Sequence, residues 1–147
     1  MPGKNKRGAS GHIAYLLRQA QGAVRIALDK AFAEAGLTTP QFLVLNLLDA
    51  YPGASGADLA RIALLTPQTM NLIVRKLECD KLIERSDHET HGRVLRLQLT
   101  TDGKARLRDC KLRADAVERQ LVAGLDPATE VTVRKWLSAV AETLLQP

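Results

Sequence analysis

Apolar residues recur along this chain at two different periods, and the change between them marks its organisation. From residue 12 to 35, Ile13, Leu17, Ala20, Val24, Ala27 and Ala31 are spaced alternately by four and three. That heptad-like spacing predicts one helix packed along another helix. Gly36 ends it, as glycine does after a helix C-terminus. A second helix is expected from Thr38-Thr39-Pro40-Gln41, where Thr38 and Gln41 fit a capping box and proline is tolerated in the first turn. Phe42, Val44, Leu45 and Leu48 face a core, and Tyr51-Pro52-Gly53 stops the helix. Ser55 or Gly56 begins a short third helix, GADLARIA. A fourth runs from about Thr66 to Cys79, with Thr66 as N-cap, Pro67 in the first turn, and Met70, Ile73, Val74 and Leu77 as its buried stripe.

The period then falls to two. Leu82-Ile83-Glu84-Arg85 is short and partly apolar, and the polar run SDHETHG follows. From Arg93 to Thr100, Leu95, Leu97 and Leu99 alternate with Arg96 and Gln98, the pattern of a half-buried strand. A β-hairpin is predicted, with Gly92 suited to its tip. Helical spacing returns with Leu107, Cys110, Ala114, Val117 and Leu121. Gly124 breaks it, Asp126-Pro127 caps a last helix, and Val133, Leu137, Val140 and Leu144 carry the stripe on. The order is α-α-α-α-β-β-α-α, a mainly helical α+β chain with a mixed centre and long helices at both ends.

Composition narrows the class. With 147 residues, 46% hydrophobic and 25% charged, the chain reads as a globular domain able to bury a core without disulfides or metals. No apolar run approaches the roughly 20 residues that span a bilayer. The basic start, MPGKNKRGASGH, leads into no signal-type apolar core, so the expected location is cytoplasmic, with no membrane partner. Cys79 and Cys110 make no disulfide framework. Cys110 lies on an apolar stripe as a small core residue. His88 and His91 read as polar loop residues, and neither a metal site nor a cofactor is expected. The net charge of +5 permits nucleic-acid binding, but residues 55–99 hold seven basic and six acidic side chains. DNA affinity there must come from particular residues rather than a general positive field.

A short helix, a tight turn, a capped helix and a hairpin, in that order, make a winged helix-turn-helix. A helix fits the major groove, its early exposed residues meet base edges, and a hairpin can reach across the backbone. Removing the buried stripe from the 66–79 helix leaves Gln68, Thr69, Asn71, Leu72, Arg75 and Lys76. Amide side chains pair bidentately with adenine, and Arg75 lies four residues beyond Asn71 on the same face. The competing reading is an amphipathic helix whose polar face is merely solvated.

The stretch from Asp58 to Leu107 resembles the core of a MarR-type (multiple-antibiotic-resistance) regulator. Asp58-Leu59-Ala60 matches the start of the family's first helix-turn-helix element, and Thr66-Pro67-Gln68-Thr69 the start of its recognition helix. Leu77-Glu78 and Leu82-Ile83-Glu84-Arg85 match the exit into the wing. His91-Gly92-Arg93, a Leu-x-Leu-Thr run and Gly103 match the wing tip, its returning strand and the lead into the next helix. The resemblance implies a homodimer with interlocking terminal helices, whose winged domains straddle double-stranded DNA at a pseudo-palindromic operator. It implies repression more often than activation, commonly relieved by a small aromatic or acidic effector held between the dimerisation helices and the winged domain. Thr66, Pro67, Gln68, Thr69, Asn71, Arg75, Lys76, His91, Gly92 and Arg93 are the expected DNA-contacting residues.

Three positions depart from the family pattern. Leu64 stands where the helix-turn-helix turn usually carries glycine, so the turn either uses ordinary negative φ or accepts strain. Lys81 replaces the glycine common after the recognition helix, which argues against a left-handed cap there. His88 replaces a wing carboxylate, leaving Asp87 or Glu89 to brace Arg93.

His12, Tyr15, Arg18 and Tyr51 are candidates to line an effector pocket, with Trp136 as a further wall. The expected organisation is a flexible basic tail at residues 1–10, a winged helix-turn-helix at 37–103, and a helical dimerisation region formed by 11–36 and 104–147. An enzyme is excluded on motifs: GxSxG, HExxH, a P-loop and a GxGxxG strand–helix unit are all missing from the sequence. The remaining alternative is a helical module whose wing binds protein.

Overall fold

In a computed structural model of the chain, residues 8–86 and 96–146 are described. The elements are α1 (Ile13–Ala33), α2 (Thr39–Ala50), α3 (Gly56–Ala63), α4 (Pro67–Cys79), β1 (Ile83–Ser86), β2 (Arg96–Leu99), α5 (Thr101–Val122) and α6 (Pro127–Leu144). The expected order is observed. The antiparallel strands pair Ile83 with Leu99 and Arg85 with Leu97. Residues 93–95, assigned to the returning strand from sequence, lie outside the described residues, as does the hairpin tip.

The core sits where α2, α3, α4, the sheet and the first half of α5 converge. Phe32, Leu45, Leu59, Met70, Leu77 and Leu82 are fully buried there. Phe32 reaches in from the end of α1 and meets the Phe42 ring at 4.5 Å between centroids, tilted by 31°. Aromatic pairs favour such offset geometry over a flat sandwich. The backbone of Gly53 and Ala54 bonds to both sides of Leu97, at 3.2 Å each, and lays the loop after α2 along β2.

Caps define the helix starts. Thr38 and Gln41 form the anticipated capping box, and Thr66 accepts from the Thr69 amide. A second capping box, Ser55 with Asp58, starts α3. The helix ends share a motif. Gly36, Leu64 and Lys81 have φ of +74°, +56° and +59°. The residue after each donates its amide five positions back: Leu37 to Phe32, Leu65 to Ala60 and Leu82 to Leu77, at 3.3, 2.9 and 2.9 Å. This is the six-to-one bond of a Schellman ending. Leu64 therefore accepts strain rather than a negative φ. The expectation for Lys81 is corrected: it takes the left-handed cap although it is not glycine, because the bond and the burial of Leu82 hold it there.

Gly103 is required by close approach. Its amide donates to the capping Thr100 hydroxyl, and a Cβ at this position would lie 2.0 Å from the Leu82 carbonyl oxygen. This is where the wing hands over to the long helix. Further along α5, Arg106 donates to the Ala35 carbonyl at 3.0 Å and Arg113 to the Glu34 carboxylate at 2.8 Å. The two arginines clamp the end of α1 onto α5. The terminal stripes are the exception to burial: α6 buries no residue within the single chain, and Ile13, Leu137 and Leu144 are exposed.

Candidate nucleic-acid interface

The candidate surface is built on α4, and its placement begins with α3. The Ser55 hydroxyl and amide both reach the Asp58 carboxylate, which also accepts from Arg61 at 2.6 Å. Those Ser55 hydrogen bonds, more than the Arg61 charge, hold the Asp58 carboxyl below its ordinary range. A carboxylate near a helix N-terminus also opposes the helix dipole favourably. Leu59 and Ala60 bury the opposite face, and the left-handed turn at Leu64 swings the chain into α4.

Within α4, Met70, Val74 and Leu77 point into the core. Gln68, Thr69, Asn71, Arg75 and Lys76 are all exposed, as are Thr66 and Pro67 at the start. The Thr66 hydroxyl is engaged by the Thr69 amide at 3.2 Å and approaches the Thr69 hydroxyl at 3.0 Å. Lys76 reaches Asp80 at 3.3 Å. Gln68, Asn71 and Arg75 make no side-chain hydrogen bond or ion pair among the described residues. An unpaired amide, amide and guanidinium on one rigid helical face leave their hydrogen-bonding capacity for an outside partner.

The base of the wing is tied to this helix. Arg85 on β1 pairs with Glu78 on α4, and Gln98 on β2 bonds Glu84 across the ladder at 3.0 Å. His91, Gly92 and Arg93, together with His88 and its neighbours Asp87 and Glu89, lie outside the described residues.

The proposed effector residues are not gathered in one place. His12 is the N-cap of α1, and Tyr15 and Arg18 follow on the same helix; the Tyr15 hydroxyl accepts from Gln19 at 3.0 Å. Tyr51 caps the far end of α2 and is exposed. A cleft of about 810 Å³ opens elsewhere, between α1, the first turn of α2, and the α5–α6 corner. Val24, Arg25, Leu28, Pro40, Leu65 and Trp136 are among its walls, and none of His12, Tyr15, Arg18 and Tyr51 is. Arg25 is the one charged side chain lining it among the described residues. The α1 stripe read from the sequence supplies Leu17, Ala20 and Val24 to these walls, and Trp136 was named as well, but Arg25, Leu28 and Leu65 were missed; Leu65 is brought to α1 only by packing. Cys110 is buried, and burial pushes its thiol up, as befits a core residue.

The sequence model of the MarR family matches residues 35–94. The chain is 39% identical over 107 residues to the HTH-type transcriptional repressor Rv2887 of Mycobacterium tuberculosis, covering 73% of this chain and 74% of that protein. It is also similar to the crystal structure of Rv2887 in complex with DNA, at 30% identity and a TM-score of 0.73, over 89% of this chain and 98% of that one. Against Rv2887 in complex with salicylic acid the values are 31% and 0.72, over 90% and 98%. A MarR-family transcriptional regulator from Rhodococcus sp. RHA1 aligns at 26% identity and a TM-score of 0.82, over 92% and 96%.

Proposed function

The chain belongs to the MarR family of transcription regulators, not enzymes, and from that premise we propose that it is a repressor that binds a pseudo-palindromic operator as a homodimer and leaves it when a small effector binds. The observation that carries the reading is the unpaired polar face of α4, set on a capped helix whose other side is locked into the core. Thr66, Pro67, Gln68, Thr69, Asn71, Arg75 and Lys76 enter the major groove. His91, Gly92 and Arg93 at the wing tip reach the minor groove and the phosphates. The complex of the similar Rv2887 with DNA supports DNA as the partner of this face.

Residues 11–36 and 104–147 form the dimerisation region in this reading, 37–103 the winged domain and 1–10 a basic tail. Leu137 and Leu144 cover their partner's counterparts, since exposed apolar stripes of this length are stabilised by burial against a second copy. The effector is a small aromatic acid lodged in the cleft beside Arg25 and Trp136, where the cation meets its carboxylate and the indole its ring. Leu65 lines that cleft and immediately precedes the N-cap of α4, so an occupant bears directly on the reading helix. The complex of Rv2887 with salicylic acid supports an effector of this class. No helix among the described residues is long and apolar enough to cross a membrane.

The test is a salt titration of wild type, Gln68→Ala, Asn71→Ala and Arg93→Ala against operator and scrambled duplexes. Losing a base-reading amide is expected to cost about 1–3 kcal/mol on the operator and little on scrambled DNA. Losing Arg93 is expected to weaken both and lower the salt slope by about one unit. Equal losses on both duplexes for the amide variants would refute the role of α4.

A further inference from the structure

Leu72 stands out on α4. It is 69% exposed in the middle of a polar face, on an element otherwise well packed. At about 100° per residue, Gln68, Thr69, Arg75 and Lys76 all fall within about 60° of Leu72 on the helix wheel. The buried residues Met70, Val74 and Leu77 lie about 140–160° away. Leu72 therefore marks the apex of the exposed arc, the point that projects farthest from the core, with two polar residues on either flank.

Stability does not account for it. Leu72 borders a shallow cleft with Pro40, Gln41, Leu65 and Ile73, yet that contact leaves most of the side chain open. At 69% exposure the leucine side chain buries little apolar area, so it adds little to folding that alanine would not. The face that carries it is the face that enters the groove, so the inference rests on the reading of α4 given above. In the major groove one base feature suits an aliphatic side chain: the 5-methyl group of thymine. Neighbouring amides and cations satisfy polar base edges and phosphates on both sides, and the branched δ-carbons of leucine can meet a methyl group between them.

We propose that Leu72 is a specificity-determining residue that packs against the 5-methyl group of one thymine in each operator half-site. Wild type then distinguishes thymine from uracil at that position, although the two bases present identical hydrogen-bonding edges. Burying one methyl group corresponds to a preference of about fourfold per half-site.

The experiment selects the highest-affinity duplex from random-sequence DNA with the full-length protein and replaces each thymine in turn by uracil. Wild type is expected to weaken at one symmetry-related thymine pair, and Leu72→Ala to bind thymine and uracil duplexes alike while keeping the wild-type unfolding midpoint. Three results would overturn the proposal: wild-type indifference to every uracil, a Leu72→Ala variant that retains the full thymine preference, or a selected site with no thymine in either half. Asn71→Ala and Arg75→Ala on the same duplexes separate the levels. If both bind as wild type does, the placement of α4 on DNA fails and the proposal with it. If both weaken while uracil changes nothing, only the role of Leu72 falls.

Discussion

Leu64 and Lys81 occupy backbone that L-residues enter at a cost of about 1–2 kcal/mol, yet each is followed by a leucine whose amide closes a six-to-one bond. Glycine would remove that strain, while adding about 0.5–1 kcal/mol of unfolded-state freedom to be lost on folding. The strain is the larger quantity, so Lys81→Gly is expected to stabilise the protein by about 0.5–1 kcal/mol without changing DNA affinity; urea unfolding reads the difference. Gly103 has no such latitude. Its missing Cβ is replaced in space by the Leu82 carbonyl, and backbone cannot step aside as a side-chain tip can. Gly103→Ala is expected to cost about 3 kcal/mol, visible as a lowered urea midpoint. A midpoint within error of wild type would mean that the wing and α5 are not joined as described.

The helices are set by their ends as much as by their stripes. Thr38, Thr66 and Asp126 are caps legible from the chain, since each precedes a proline-bearing first turn and an apolar repeat. Ser55 with Asp58 is a capping box of the same kind, spaced by three, but the run it opens is too short for periodicity to single it out. Its consequence is electrostatic. Asp58 titrates low in the folded chain because Ser55 hydrogen-bonds its charged form. A carboxyl depressed on folding contributes stability above its unfolded pKa and loses it as pH falls through the folded value. Ser55→Ala removes the first cause, so an NMR titration of the Asp58 side chain is expected to show its pKa rising relative to wild type. An unchanged midpoint would assign the depression to the Ser55 backbone amide and Arg61 instead.

Three of the long stripes behave differently once the chain is folded. The inner half of α5 buries Leu107 and Cys110, whereas α6 buries nothing and the first turn of α1 leaves Ile13 in solvent. A single copy cannot cover them. Leu137→Glu combined with Leu144→Glu is expected to convert the proposed dimer to a monomer in analytical ultracentrifugation and to abolish operator binding. A folded monomer that still bound the operator would count against the two-fold arrangement. The clamp of Arg106 and Arg113 on the end of α1 ties α1 to α5 within the terminal helical region.

Periodicity and punctuation along the chain were enough to determine the element order, the boundaries of α4 and its inward and outward faces, while the family was legible only through the resemblance of the motifs between Asp58 and Leu107. These are local properties: a spacing of three and four selects one side of a helix, and a threonine followed by proline marks its start wherever it folds. Gly103, too, is visible as a family position, though its reason is not. The left-handed state of Lys81 depended on tertiary structure, because the burial of Leu82 and a bond to Leu77 outweigh the preference of lysine itself. The cleft beside Arg25 and Trp136 did as well. Its walls come from α1, α2, α5 and α6 and from the turn before α4, and no spacing in a linear chain announces which distant residues packing will bring together.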